Sequence, residues 1–440
     1  MTGHVRGRVR AGMAVAAAGV LITSCGIGDG FEGEPELSDG DVTISFNWWG
    51  ADARTQMTME AIELFEEEYP NINVEPQFAD WNGYWDRLAT TTAAGEMPDV
   101  TQFDQLYLAA YADRGALVDL ERVDEFLDTS QIPPEVLESG EVNDGLYAVP
   151  TGGTANGILV NTSLFEEYGV PLPDFDTWDW DEMIDTAAQL SEASGGEVHG
   201  LSPWVSDSFS VTVWARQHGN ELFNDEGELV LEADVLAAYW ERMLEFIDRG
   251  AAPSVAEVSE TKGLPLDQGD LVTQKTAMGF IPAGQFSTFQ AATPDAELML
   301  ADWPTDEDTQ EGYQYLKPSM YWSMSSTTKH PAECALLIDF LINDPRVGSI
   351  FGLDRGEPGN PAFKEAIEPQ LDDSERRALE FTEQIQQEVG PQPPIVPAGA
   401  SDVDPMLGRY NDQVLFGELS PQEAAEGILD ELNDAIRANG

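Results

Sequence analysis

The stretch Leu146 to Val170, LYAVPTGGTANGILVNTSLFEEYGV, decides the fold. Two short apolar runs, Leu146 to Val149 and Ile158 to Val160, flank a crossing that contains Pro150, Gly152, Gly153 and Gly157. That pattern reads as strand, bend, strand. Glycine lets another backbone or a ligand approach closely, so a bend here carries the chain from one structural unit to another. Asn161, Thr162 and Ser163 can each cap the helix implied by LFEEYG, and Gly169 is placed to end it.

Outward from that crossing, 440 residues are too many for one hydrophobic core, so two domains of about 200 residues each are expected. The composition, 42% hydrophobic and 23% charged, is that of globular protein. Its balance of signs is not ordinary: 81 Asp and Glu stand against 21 Lys and Arg, a net charge of −60. Such a surface repels phosphate backbones and anionic lipid heads, which argues against nucleic acid as a partner and against a peripheral electrostatic membrane contact. A dense carboxylate surface suits solubility in high salt, and it lowers the functional weight of any single Asp or Glu.

His4 falls in the leader, and His199, His218 and His330 are isolated, without metal-ligand spacing. No phosphate-cradling loop followed by Lys-Ser or Lys-Thr is present, so no cofactor or catalytic constellation is expected and any ATP hydrolysis belongs to another subunit.

The first residues read as an address. Arg6, Arg8 and Arg10 form a basic region, Ala11 to Leu21 an apolar stretch too short for a standard membrane span, and Ile22-Thr23-Ser24-Cys25 a small-residue cleavage site. This resembles a bacterial lipobox, which implies removal of residues 1–24 and lipidation of Cys25. Residues 26–40, rich in Gly and acid, read as a flexible tether. Cys334, in the apolar run Ala332 to Ile342, reads as a buried small hydrophobe, and no intrachain disulfide is expected.

Val42, Ile44 and Phe46 alternate as a strand ending in Asn47-Trp48-Trp49-Gly50-Ala51-Asp52. Ligands gather beyond the carboxyl ends of strands in open α/β sheets, which makes Trp49 and Asp52 candidates, with at most one of Trp48 and Trp49 facing a cleft. A helix over Thr55 to Tyr69, a strand at Ile72 to Val74, a helix over Tyr84 to Ala94 and a strand from Pro98 to Asp104 follow. Asp104 again lies at a strand end, and Trp81 and Trp85 share a helix face. Trp204 sits in a loop, Trp303 where the chain crosses back, and Trp322 on the returning strand. More than half of the 11 Trp residues are nonetheless expected in the core.

Several stretches resemble the family of extracellular solute-binding proteins typified by maltose-binding receptors of ABC importers: the crossing itself, WNGYWDRLATTTAAGEMPDVTQFD, GALVDL, DTWDWDEM, VWARQHGNELFNDEGELVL, KTAMGFIPAGQ, RGEPGN and the terminal SPQEAA helix start. Val160 stands where the family usually has Tyr, and Gly284-Gln285 where it has an aromatic. The resemblance implies an α/β, two-lobed binding-protein fold with two or three crossings. By it, the first lobe combines 41–150 with 312–354, and the second 151–311 with 355–440.

It implies ligand contacts at the crossings from Thr151 and Gly152, at Gln285, and from Arg355, whose guanidinium could hold sugar hydroxyls or pair with Asp354 or Glu357. Function is then that of a lipid-anchored, extracytoplasmic, monomeric receptor, not an enzyme, delivering a sugar or oligosaccharide to an ABC importer permease. A receptor of the same fold for a polyamine, glycerol phosphate or metal, and a surface glycosidase, remain the alternatives.

Overall fold

Alternation of Val42, Ile44 and Phe46 puts three apolar side chains on one face of β1 (Val42–Trp49), and around it a mixed sheet assembles. The computed structural model describes residues 1–3, 31, 33–50, 52–202, 206–261 and 268–439. In chain order the strands are β1, β2 (Ile72–Ala79), β3 (Val100–Phe103), a small hairpin of β4 (Glu141–Val142) and β5 (Gly145–Leu146), β6 (Val149–Thr154), β7 (Asn156–Asn161), β8 (His199–Leu201), β9 (Thr276–Pro282), β10 (Leu298–Ala301), β11 (Lys317–Met324) and β12 (Glu357–Pro358). The first sheet runs β12-β6-β11-β3-β1-β2 and the second β10-β7-β9-β8.

The crossing is therefore one residue wide. β6 pairs with β11 in the first sheet, β7 with β9 and β10 in the second, and only Ala155, fully buried, separates them. Thr154 ties the two sides together, because its Oγ1 accepts from Gly284 N at 3.0 Å just beyond β9. The helix Thr162–Tyr168 then starts on Asn161, whose Oδ1 accepts from Leu164 N, and ends on Gly169 in the left-handed region at φ 68°.

Each face of the first sheet has its own core. Phe46, Trp48 and Trp322 lie with Cys334, Leu337 and Ile338 of the helix Pro331–Asn343 on one side. Trp49, Tyr84, Trp85, Phe103 and Tyr321 occupy the other. In the second lobe Trp178, Trp180, Trp214, Trp240 and Trp303 share one cluster with Phe280 of β9. Burying 150–250 Å² per indole at about 25 cal/mol/Å² gives roughly 4–6 kcal/mol each before ordering costs. That scale is why most of the tryptophans are spent on packing.

Four expectations change. Trp303 and Trp322, taken as ligand contacts, are 2% and 1% exposed inside their lobes; Trp303 packs edge-on against Trp180 at 5.9 Å, and Trp322 against Phe46 at 5.2 Å. The segment after Arg355 does not cross over: β12 pairs with Gly152 and Gly153 on the first sheet, and Phe363 enters that lobe's core. The chain reaches the second lobe only with the helix Asp373–Gln386, whose Ala378 packs with Leu159 and Phe286. The helix expected from Tyr84 begins at Trp81, because Asp80 caps it through Gly83 N at 3.1 Å.

The tether, finally, is docked where it is described. Phe31 packs on the first core beneath the Arg122 guanidinium, 4.4 Å from its ring centroid, and Ser38 N donates to the buried Glu333 at 2.7 Å. An apolar ring and a backbone donor in that segment, meeting the buried Glu333 carboxylate of the lobe, account for the docking. Cys25 and Trp204 lie outside the described residues.

Candidate functional site

The carboxyl ends of β1, β2 and β3 deliver an aromatic platform. Trp49 ends β1 and is 8% exposed; Trp81 and Trp85 ride the helix Trp81–Ala93 that follows β2. Trp81 meets Trp49 at 5.1 Å and 90°, and Trp85 stacks on Tyr107 at 3.8 Å and 23°. Trp81 alone of these three indoles keeps a large open surface, 38%. Such a ring presents a face to apolar C–H groups while its neighbours hold it in place.

Beside the platform, Asp104 ends β3 and caps the helix Gln105–Ala112 by accepting from Leu106 N at 3.0 Å. Its other oxygen lies 3.7 Å from Lys317 Nζ, the first residue of β11. Tyr107, one turn on, has its hydroxyl pKa pushed up to about 12, first by burial and then by Asp104, Asp402 and Asp404.

Asp402 and Asp404 belong to the second lobe, as does Asp207, which caps the helix Ser208–Gln217. Asp404 accepts from Ser208 N at 2.7 Å and Asp207 from Ser210 N at 2.7 Å. Leu106 packs on the second lobe's core, while Ile395 and Ala398 pack on the platform cluster. Gln105, Leu106 and Lys317 also share a small cavity with Ser208, Thr212 and Tyr315. Both lobes thus contribute to one polar and aromatic site.

Asp207 is the electrostatic outlier. Burial, then the Asp404 charge, pushes its carboxyl up to about 6, against the Ser210 bonds and Lys317; Tyr239 and Tyr315 also feel its charge. Between about pH 4 and 6 the folded chain holds a proton that the unfolded chain has released, so this group's contribution to stability falls as pH rises through that window. Asp207→Asn keeps a capping side chain and removes the charge. The variant is expected to gain about 1–2 kcal/mol over the parent at pH 7 and nothing near pH 4, read as urea midpoints. Equal midpoints at both pH values would place an ordinary, solvated carboxylate there.

The sequence candidates separate accordingly. Trp49, Trp81 and Asp104 come together at the site. Asp52 is exposed at the start of the helix Asp52–Glu68, and Gln285 is exposed just after β9. Thr151 donates to Met320 O and Arg355 O, and Gly152 lies against the backbone of Arg355 and Glu357, so both serve the sheet. Arg355 is 3% exposed, donates to Thr58 Oγ1 at 2.7 Å, and lies over the Phe351 ring at 4.0 Å. It fills the first lobe and faces no open cleft. Sequence reasoning missed Tyr107, Lys317, Asp207 and Asp404. Tyr107 and Lys317 did carry a signal, a ring one turn after a strand-end cap and a cation leading a strand.

Two α/β lobes joined by short crossings, with a site built from both, define a solute-binding protein. The profile of the bacterial extracellular solute-binding protein family matches residues 49–345, and the chain belongs to that family, one of binding proteins and not of enzymes. A family 1 extracellular solute-binding protein of Alicyclobacillus acidocaldarius is 27% identical, with a TM-score of 0.70 over 91% of this chain and 100% of that one.

An oligogalacturonide-binding protein of Yersinia enterocolitica, in complex with saturated digalacturonic acid, shares the fold at TM-score 0.78 and 21% identity over 91% and 100%. A receptor of Streptomyces glaucescens, solved free and with acarbose, does so at 0.75 and 18% over 90% and 99%. Among curated relatives, a binding protein of Brucella abortus is 27% identical and the mannitol-binding protein of Pseudomonas aeruginosa 22%. The chain spans about two fifths of the length of these relatives, 41% and 42%, and the matches cover 38% and 42% of it. Among the described residues no helix is long and apolar enough to cross a membrane.

Proposed function

We propose that this chain is the extracytoplasmic receptor of an ABC importer for a neutral sugar or oligosaccharide, anchored to the outer face of the cell membrane through a lipid on Cys25. The observation that carries the reading is the exposed Trp81 on its aromatic base, its ring 6.3 Å from that of Tyr107, whose hydroxyl feels carboxylates from both lobes. A sugar ring stacks its C–H face on such an indole, and its hydroxyls donate to the carboxylates. Solute that touches both lobes favours the closed arrangement by its differential affinity, and the permease reads closure.

Charge narrows the solute further. Asp104, Asp207, Asp402 and Asp404 outnumber Lys317, an arrangement that favours neutral sugars and disfavours uronates.

The test is calorimetric titration of the mature chain with neutral and uronic oligosaccharides, in parallel with Trp81→Ala. A neutral oligosaccharide is expected to bind, with uronates weaker by at least about tenfold. Trp81→Ala is expected to lose at least about tenfold in affinity while remaining folded, with a melting temperature lowered only by the packing it loses on Trp49 and Trp85. Tightest binding by a uronate, or full affinity in the variant, would overturn the assignment of this site. Sugar release from a labelled oligosaccharide would instead make the chain a glycosidase.

A further inference from the structure

We infer that a cavity of about 660 Å³ on the connection between β10 and β11 is a second binding site, for a linear aliphatic di- or polyamine. Its walls come from the segment between Asp302 and Gln314, which leads from the second sheet to the first, and from Ile385, Gln387, Glu388 and Val389 at and just beyond the end of the helix Asp373–Gln386. It shares no lining residue with the platform or with Asp104, Asp207 and Lys317, so the inference stands apart from the sugar reading.

Four carboxylates line the cavity, Asp302, Asp306, Glu311 and Glu388, and none of its lining residues is Lys, Arg or His. Asp302 is largely buried; one oxygen takes bonds from Trp303 N at 2.7 Å and from Gln314 Nε2 at 3.0 Å. Burial raises its pKa, and the Glu388 charge adds to this, so a cation in the cavity would relieve it.

The second observation is Gln314 itself. It is 2% exposed and lines the cavity, its Nε2 donates to Asn156 O and Asp302, and its Oε1 accepts no hydrogen bond. A buried acceptor left open in this way costs free energy that a donor in the cavity recovers.

Among the described residues no three His, Cys, Asp or Glu side chains stand close enough to hold a metal ion. Acceptors spread along a cavity of this size suit a chain of separated ammonium groups, each with several N–H donors, rather than a compact ion.

The experiment titrates spermidine into the mature chain by calorimetry at about 0.15 M ionic strength, where the Debye length of about 8 Å screens the general surface charge. One saturable site is expected. The double variant Glu311→Gln/Glu388→Gln should weaken it at least about tenfold, whereas Glu63→Gln/Glu67→Gln, which removes the same charge from an exposed helix, should leave it intact. Trp81→Ala should also bind spermidine as the parent does.

Circular dichroism and melting of each variant confirm folding, and Gln314→Leu provides a second probe of the open acceptor. Equal losses in both double variants, or many weak sites, would reduce the effect to attraction by an acidic surface. A loss confined to Trp81→Ala would move the amine to the interlobe site. Magnesium binding as tightly as spermidine at this cavity would replace the polyamine with a compact ion. Each of these results overturns the inference.

Discussion

Arg355→Ala is expected to destabilise the first lobe by about 2–4 kcal/mol while leaving solute affinity unchanged. The guanidinium lies over Phe351 at 4.0 Å and Trp322 at 5.3 Å and donates to Thr58, so truncation leaves a void among rings that cannot close over it. Asp354 is not stranded by the change, since Arg54 Nε donates to it at 2.7 Å.

Burial also lowers the Arg355 pKa to about 9, which means that the charge itself is held at a cost. Arg355→Met, which fills most of the space without the ion, is therefore expected within about 1 kcal/mol of the parent. Urea unfolding of the three proteins decides between packing and charge. A stable methionine variant with weakened solute binding would return Arg355 to the cleft wall.

Gly152→Val is expected to cost about 3 kcal/mol or more, because the close neighbours are backbone. A Cβ at this position would come within 2.5 Å of Glu357 O and 2.7 Å of Arg355 O, so β12 must leave the sheet edge to admit it. The neighbouring Gly153→Ala is the control. Its Cβ would meet the Leu316 side chain at 3.4 Å, ordinary contact, and the change should stay within about 1 kcal/mol. Similar urea midpoints for the two variants would show that β12 yields freely.

These two positions show how far the sequence could be read. Strand alternation in β1, the glycine-rich crossing and the cap residue Asn161 were legible because each acts through its neighbours in the chain. Asp99, read only as a strand entry, proves to hold Ser45 through N at 2.8 Å and Oγ at 2.7 Å, a contact across 54 residues that spacing alone does not reveal.

Of the candidate site, the first-lobe part, Trp49, Trp81 and Asp104, could be grouped from the sequence because all three follow strand ends. The second-lobe part could not: Asp207 and Asp404 are two carboxylates among 81, and only their convergence sets them apart. Arg355, Trp303 and Trp322 were drawn to the cleft by residue type, yet each fills space between elements remote in sequence.

The order of the first sheet also dictates an order of events as the chain acquires its shape. β11 lies between β3 and β6 although it follows β6 by more than 150 residues, with the whole second sheet between them in sequence. A nascent chain that has produced β1 through β10 still lacks the strand that joins β3 to β6, and both present unsatisfied backbone edges until Lys317–Met324 arrives. Such long-range pairing makes completion late and slow. The first half of the polypeptide therefore depends on the last third for closure, a chronology suited to a chain that crosses a membrane before it settles and unsuited to stepwise folding of one lobe after the other.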